Sequence, residues 1–279
     1  MHTLDYAKHV SMARTLTARL TVDALNDATG FDDSPARLSD LEARVLDGLR
    51  AGEFHLVFQG AYRAADDALA RLDAQLRWTH PEYGLLLPGI FMMPLEHPRV
   101  AQEMAAFVVD SVCRELRACA DAGLPVCPVC PVAISVPAQI ALLDSFAEDL
   151  VRVARSYRVS PRLFEIEIAD SAEAAKLLSL RTMTEGLREA GVGVALGKWG
   201  NGASSLALLG TVDVDTVTVA RELVAGVLRD QRAAKVMAAV LDLLCGLGLR
   251  VVVNGVDTKE QLQWLGRWAE VLVQGAVCG

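Results

Sequence analysis

The residues with the most chemical potential lie at 195–206, Ala-Leu-Gly-Lys-Trp-Gly-Asn-Gly-Ala-Ser-Ser-Leu. An apolar strand end passes there through a glycine-bearing loop toward a helix, which is where α/β folds carry their reactive groups. Metal-assisted chemistry at such a strand end needs carboxylates to neutralise the ion. The two residues leaving this strand are Gly197 and Lys198. The stretch therefore reads as an enzyme scaffold whose reactive position has been changed.

Other chemistry-bearing residues offer no competing centre. Cysteines occupy positions 113, 119, 127, 130, 245 and 278. The pair Cys127-Pro-Val-Cys130 invites a redox or zinc reading, but a redox pair usually sits at a helix N-terminus, which stabilises the thiolate. Here the pair runs into an apparent strand. As zinc partners, Cys113 and Cys119 lie six residues apart on a predicted helix, which turns them about 120° from one another. Ordinary reduced thiols are expected. The histidines at 2, 9, 55, 80 and 97 form no ligand cluster, and His80 and His97 each precede a proline, which suggests turn geometry. Gly200-Asn201-Gly202 is too short to specify a phosphate loop.

These positions must be held by a sizeable scaffold. A chain of 279 residues, 52% apolar, has ample material for a buried core, and mean hydropathy is +0.30. Net charge of −8 argues against a nucleic-acid polymer as partner, since that needs clustered Lys and Arg. A small anionic ligand is not excluded, because local charge decides. The start Met1-His2-Thr3-Leu4-Asp5 lacks a secretory signal, and no run approaches the roughly 18 apolar residues of a membrane span. A cytoplasmic location without membrane contact is expected.

Eight strand-like segments follow one another at 54–62, 69–78, 129–136, 163–169, 191–197, 213–219, 250–256 and 271–277. Runs such as Val251-Val252-Val253 suit strands buried on both faces. Helical patterns intervene. Val100, Met104, Val108, Val112 and Leu116 recur every four residues, and 222–247 carries Leu223, Val227, Val236, Val240 and Leu244 at comparable spacing. Another helix spans 39–50, opened by Ser39 with Glu42 three residues on, a capping-box pattern. This alternation predicts an α/β fold, a single modified (β/α)8 barrel over 34–279. Residues 1–33 form an N-terminal helical arm, with a helix over 4–25. That helix either covers the barrel flank left without a final helix or is a mobile tail.

The segments Phe58-Gln59-Gly60, Asp73-Ala74-Gln75-Leu76-Arg77-Trp78, Glu165-Ile166-Glu167-Ile168-Ala169-Asp170-Ser171, Leu196–Leu206, Val253-Asn254-Gly255-Val256-Asp257-Thr258 and Gln274-Gly275 together resemble the EAL family. Those are phosphodiesterase domains that linearise cyclic di-GMP. The likeness runs over roughly 39–277 and implies a triose-isomerase-type barrel. The family's enzymes hold two divalent cations at the strand ends. Ions about 4 Å apart need several carboxylates, and together they stabilise the attacking and leaving oxygens.

Position by position, the resemblance is a degenerate one. Asp73 stands where the family has glutamate and Ser135 where it has asparagine. Glu167 and Gln274 match. Gly197 and Lys198 replace adjacent aspartates, Thr218 and Ala220 replace a lysine and an aspartate, and Asn254 and Asp257 replace glutamates. The mouth is thereby about four charges less negative than the family pattern, and Lys198 adds direct repulsion. No metal is expected. Asp73, Ser135, Gly197, Lys198 and Asn254 are read as former metal positions.

Lys198 either points into water or pairs with Glu167 and Asp73 in place of a metal. Arg77 matches an arginine that contacts a phosphate of the dinucleotide in the family. It is otherwise a structural ion-pair partner. Gln59, Arg77, Glu167, Lys198 and Gln274 are accordingly the candidate nucleotide contacts. Trp199, Asn201 and Gly202 fall in the loop that couples ligand occupancy to dimer contacts in the family, where tryptophan is an interface anchor or plain packing against the rim. The expectation is a catalytically silent regulator of cyclic di-GMP signalling that needs no cofactor and binds a protein partner, a homodimer being compatible. The alternatives are a metal-free cyclic di-GMP receptor and a weak phosphodiesterase.

Overall fold

Ser39 opens the first described helix. Its hydroxyl accepts from the Glu42 backbone N–H at 3.3 Å, and the Glu42 carboxylate accepts from the Ser39 N–H at 2.8 Å. This reciprocal cap starts α1 (Asp40–Ala51), which Gly52 closes at φ 72°. The computed structural model describes residues 38–92, 97–123, 130–169, 184–201, 206–210 and 213–278. The predicted arm 1–33 with its helix 4–25, Cys127, Gly202 and the strand residue 129 lie outside these.

After α1 come β1 (Phe54–Arg63), β2 (Leu69–His80), β3 (Gly84–Leu86), α2 (Pro88–Phe91), α3 (Pro98–Asp121), β4 (Val132–Ser135), α4 (Ala138–Ala141), α5 (Asp144–Ser156) and β5 (Phe164–Ala169). The chain continues through α6 (Glu185–Glu189), β6 (Gly193–Trp199), α7 (Leu206–Leu209), β7 (Thr216–Val219), α8 (Arg221–Val224), α9 (Gln231–Gly246), β8 (Arg250–Asn254), α10 (Lys259–Leu265) and β9 (Leu272–Gln274).

The sheet runs β1-β9-β8-β7-β6-β5-β4-β2, and a β1–β2 pairing closes it into an eight-stranded barrel. The predicted barrel is therefore present, with its modification at the start. β1 is antiparallel to both β2 and β9, while β2 and β4–β9 run parallel. A hairpin, with no helix between, joins β1 to β2. The short β3, pairing Trp78–His80 with Gly84–Leu86, is an addition the sequence pattern did not reveal.

Packing follows the apolar spacing. Val100, Met104, Val108, Val112 and Leu116 are all buried along α3. Val251, Val252 and Val253 are at most 1% exposed, as a strand covered on both faces requires. His97 caps α3, its Nδ1 accepting from the Arg99 N–H at 3.2 Å, and His80 Nδ1 accepts from the Glu82 N–H at 3.1 Å, so both histidines do turn work.

The continuous helical pattern over 222–247 is broken. Residues 225–230 turn between α8 and α9, and the Asp230 carboxylate caps α9 by accepting from the Arg232 N–H at 2.7 Å. The buried stripe of α9 is Met237, Leu241 and Leu244, one residue out of phase with the predicted Val236 and Val240. A local cap outweighed a periodicity that continued across it.

Candidate functional site

Side chains alternate across a strand, so Arg71, Asp73, Gln75 and Arg77 share one face of β2. The register sets Gln59 opposite Asp73 and Val57 opposite Gln75 on β1. On the parallel strands, Ser135 lies opposite Glu167, Ala169 opposite Gly197 and Asn254 opposite Gln274. The predicted positions on these strands thus gather at the barrel's C-terminal end, where this architecture places its chemistry.

At their centre lies a residue the sequence reading passed over. Arg71 is fully buried, and each guanidinium nitrogen faces a different carboxylate. Nε is 2.8 Å from Asp73 Oδ1, Nη1 is 3.1 Å from Glu165 Oε2 and Nη2 is 2.6 Å from Glu167 Oε2. Burial alone would lower the Arg71 pKa, but the three carboxylates more than offset it and hold it above its ordinary value. Burial pushes the Asp73 carboxyl up to about 6, with the Glu167 charge adding to the rise and Arg71 and Gln274 opposing it.

Neutral side chains also donate to these carboxylates, while the buried Glu165 Oε2 has no hydrogen-bond partner among the described residues. Gln274 Nε2 donates to Asp73 Oδ2 at 2.9 Å, and Thr218 Oγ1 donates to Glu167 Oε2 at 2.7 Å. Thr216 donates to Glu165 Oε1, which also lies 3.3 Å from Arg250 Nη1 at the N-terminal end of β8. Gly197 makes room for this arrangement. A Cβ there would lie 2.7 Å from both Cγ and Oε1 of Glu167.

Further out on β1 and β2 lies a second, smaller chain. Gln75 Nε2 donates to Gln59 Oε1 at 2.6 Å, and Arg77 Nη2 donates to Gln75 Oε1 at 2.7 Å. Arg77 Nη1 also donates to the Leu76 carbonyl at 2.9 Å. Gln59 and Arg77 are thus brought together, through Gln75.

Lys198 departs from one of the two readings offered for it. It is exposed, at φ 57°, in a one-residue bulge where Leu196 and Trp199 pair with Val217 and Val219. The cation that pairs with Glu167 and Asp73 is Arg71. The physical reason is the bulge, which turns Lys198 outward and swings Trp199 into the core, where it is 4% exposed. Trp199 is therefore packed against the barrel. Its Nε1, like Asn254 Oδ1, has no hydrogen-bond partner among the described residues. Ser135 is exposed at the end of β4.

The period-two face of β2 was the signal for Arg71. Once Asp73 is placed inward, the residue two before it must point inward as well.

Two divalent cations do not fit these residues. The carboxylates that would hold them already accept from a buried guanidinium, and a dication brought beside it would be repelled. Gly197 offers no ligand, Glu167 fills the space above it, and Lys198 carries like charge.

Comparison with known proteins gives a consistent picture. A family model described as EAL domain matches residues 42–279. The chain is similar to an uncharacterized protein of Mycobacterium tuberculosis, Rv1357c, with 30% identity over 231 residues, 81% of this chain and 75% of that protein. It is also similar to cyclic di-GMP phosphodiesterase NbdA of Pseudomonas aeruginosa, with 28% identity over 235 residues, 84% of this chain and 30% of that larger protein. The PaMucR phosphodiesterase in complex with c-di-GMP aligns at TM-score 0.76 and 24% identity, over 86% of this chain and 96% of that one. The FimX EAL domain of Pseudomonas aeruginosa bound to c-di-GMP aligns at TM-score 0.74 and 16% identity, again over 86% and 96%. At these identities the structural likeness establishes the fold.

Proposed function

Because the chain belongs to the EAL domain family, we propose that it is a regulatory protein of bacterial cyclic di-GMP signalling that leaves the nucleotide intact and acts through protein–protein contact. One observation carries this reading. The Arg71 guanidinium lies 2.8 Å from Asp73 and 2.6 Å from Glu167, the two carboxylates that the sequence resemblance sets at the family's metal positions. Hydrolysis by the family's route needs a water that a bound metal makes markedly more acidic. With these carboxylates committed to a protein cation, nothing in the group generates that nucleophile.

The direct test is incubation with cyclic di-GMP and millimolar manganese or magnesium, followed by chromatography for the linear dinucleotide. No product above a protein-free control is expected. Linear product that disappears in Glu167→Gln would establish a weak phosphodiesterase and overturn the proposal.

A second reading, a metal-free receptor, draws on the Gln59–Gln75–Arg77 chain, which steadies the arginine that the sequence resemblance makes a phosphate contact. Calorimetric titration with cyclic di-GMP separates the two readings. A regulator without nucleotide contact gives no heat. A receptor gives binding that is insensitive to chelator and weakened at least tenfold by Arg77→Ala.

A further inference from the structure

We infer that Arg71 is the resident cation of this barrel. Strand β2 itself supplies the positive charge that balances the interior carboxylates, so the fold and its mouth are indifferent to divalent ions. The inference concerns the same site as the proposed function but holds whether or not nucleotide binds.

The geometry is specific to a guanidinium. Its planar fork sends three nitrogens toward three carboxylates on two strands at 2.6–3.1 Å, a span that a compact ammonium does not match. The surrounding positions are adapted to it. Gly197 leaves space for Glu167, Thr218 donates to Glu167, and Gln274 donates to the Asp73 oxygen that Arg71 does not reach. Arg250 approaches Glu165 from the other end of the barrel. Arginine also keeps its proton at any ordinary pH, and a covalently attached cation does not dissociate on dilution or chelation.

The charges facing Arg71 are Asp73, Glu165 and Glu167, with Arg250 beyond Glu165. Removing the guanidinium leaves Asp73 to Gln274, Glu167 to Thr218 and Glu165 to Thr216 and Arg250. This predicts a loss of stability that neutral isosteres of the carboxylates reverse, which a purely space-filling role would not produce.

The experiment follows thermal unfolding of the full chain, with and without millimolar MnCl2 or EDTA, at pH 8. Wild type should melt at the same temperature in manganese, in EDTA and in neither. Arg71→Met should melt roughly 10 °C lower at pH 8. The triple variant Arg71→Met/Asp73→Asn/Glu167→Gln should melt well above Arg71→Met at pH 8. Stabilisation of wild type by manganese would overturn the inference, as would Arg71→Met melting with wild type or a triple variant no more stable than the single one. If Arg71→Met does not fold at pH 8, the triple variant decides: folded, it supports a counter-ion role, and unfolded, it overturns it.

Discussion

The carboxylate of Glu167 occupies the space that a side chain on Gly197 would need, with Cγ and Oε1 each 2.7 Å from the position of a Cβ there. Absence of a side chain at one strand end thus fixes the pose of a charged group on the neighbouring strand. That pose points Glu167 at Arg71 and Thr218.

Placing a carboxylate at Gly197 should therefore harm the protein. Gly197→Ala forces Glu167 aside and should lower stability by about 1–3 kcal/mol. Gly197→Asp adds a fourth negative charge to the same interior and should lower it further. Urea unfolding of the two variants measures the difference. Equal stability of wild type and Gly197→Asp would show that Glu167 is free to relocate.

Lys198 makes a contrasting prediction. It is exposed and in the left-handed region, so Lys198→Met should change stability by less than about 0.5 kcal/mol. Lys198→Gly should be neutral or stabilising, since glycine adopts φ 57° without strain. A loss of several kcal/mol in Lys198→Met would mean that Lys198, after all, helps balance the interior carboxylates.

The Asp73 carboxyl predicts a pH dependence with a definite sign. Its pKa is raised from an ordinary 3.8 to about 6, chiefly by burial. Between those values the folded chain keeps a proton that the unfolded chain has released. Stability contributed by this group is therefore gained as pH falls from 7 toward 5 and lost as pH rises through about 6, with a slope of up to about 1.4 kcal/mol per pH unit. Asp73→Asn should flatten that slope. Denaturation series on both proteins at matched ionic strength check this, and parallel curves would count against it.

Gly275 tests the barrel closure beside Gln274. A Cβ there would lie 2.1 Å from the Val256 carbonyl oxygen, a backbone atom that cannot step aside. Gly275→Ala should cost more than about 3 kcal/mol or prevent folding. Gly89→Ala, with nothing within 4 Å of its added carbon, should stay within about 0.5 kcal/mol of wild type. Comparable melting temperatures for the two would refute the close approach.

The sequence by itself determined the barrel, because eight apolar strand segments alternating with helical spacings leave few other ways to bury so much surface. It also determined the family, and it showed Gly197 and Lys198 at the strand end, which can be read without knowing where they point. Tertiary structure alone decided which cation serves the carboxylates. Arg71 and Glu167 are 96 residues apart, and only parallel pairing through β4 brings their strands together. It likewise decided the fate of Lys198, because one extra residue in β6 reverses which side chain faces inward and no local pattern announces a bulge.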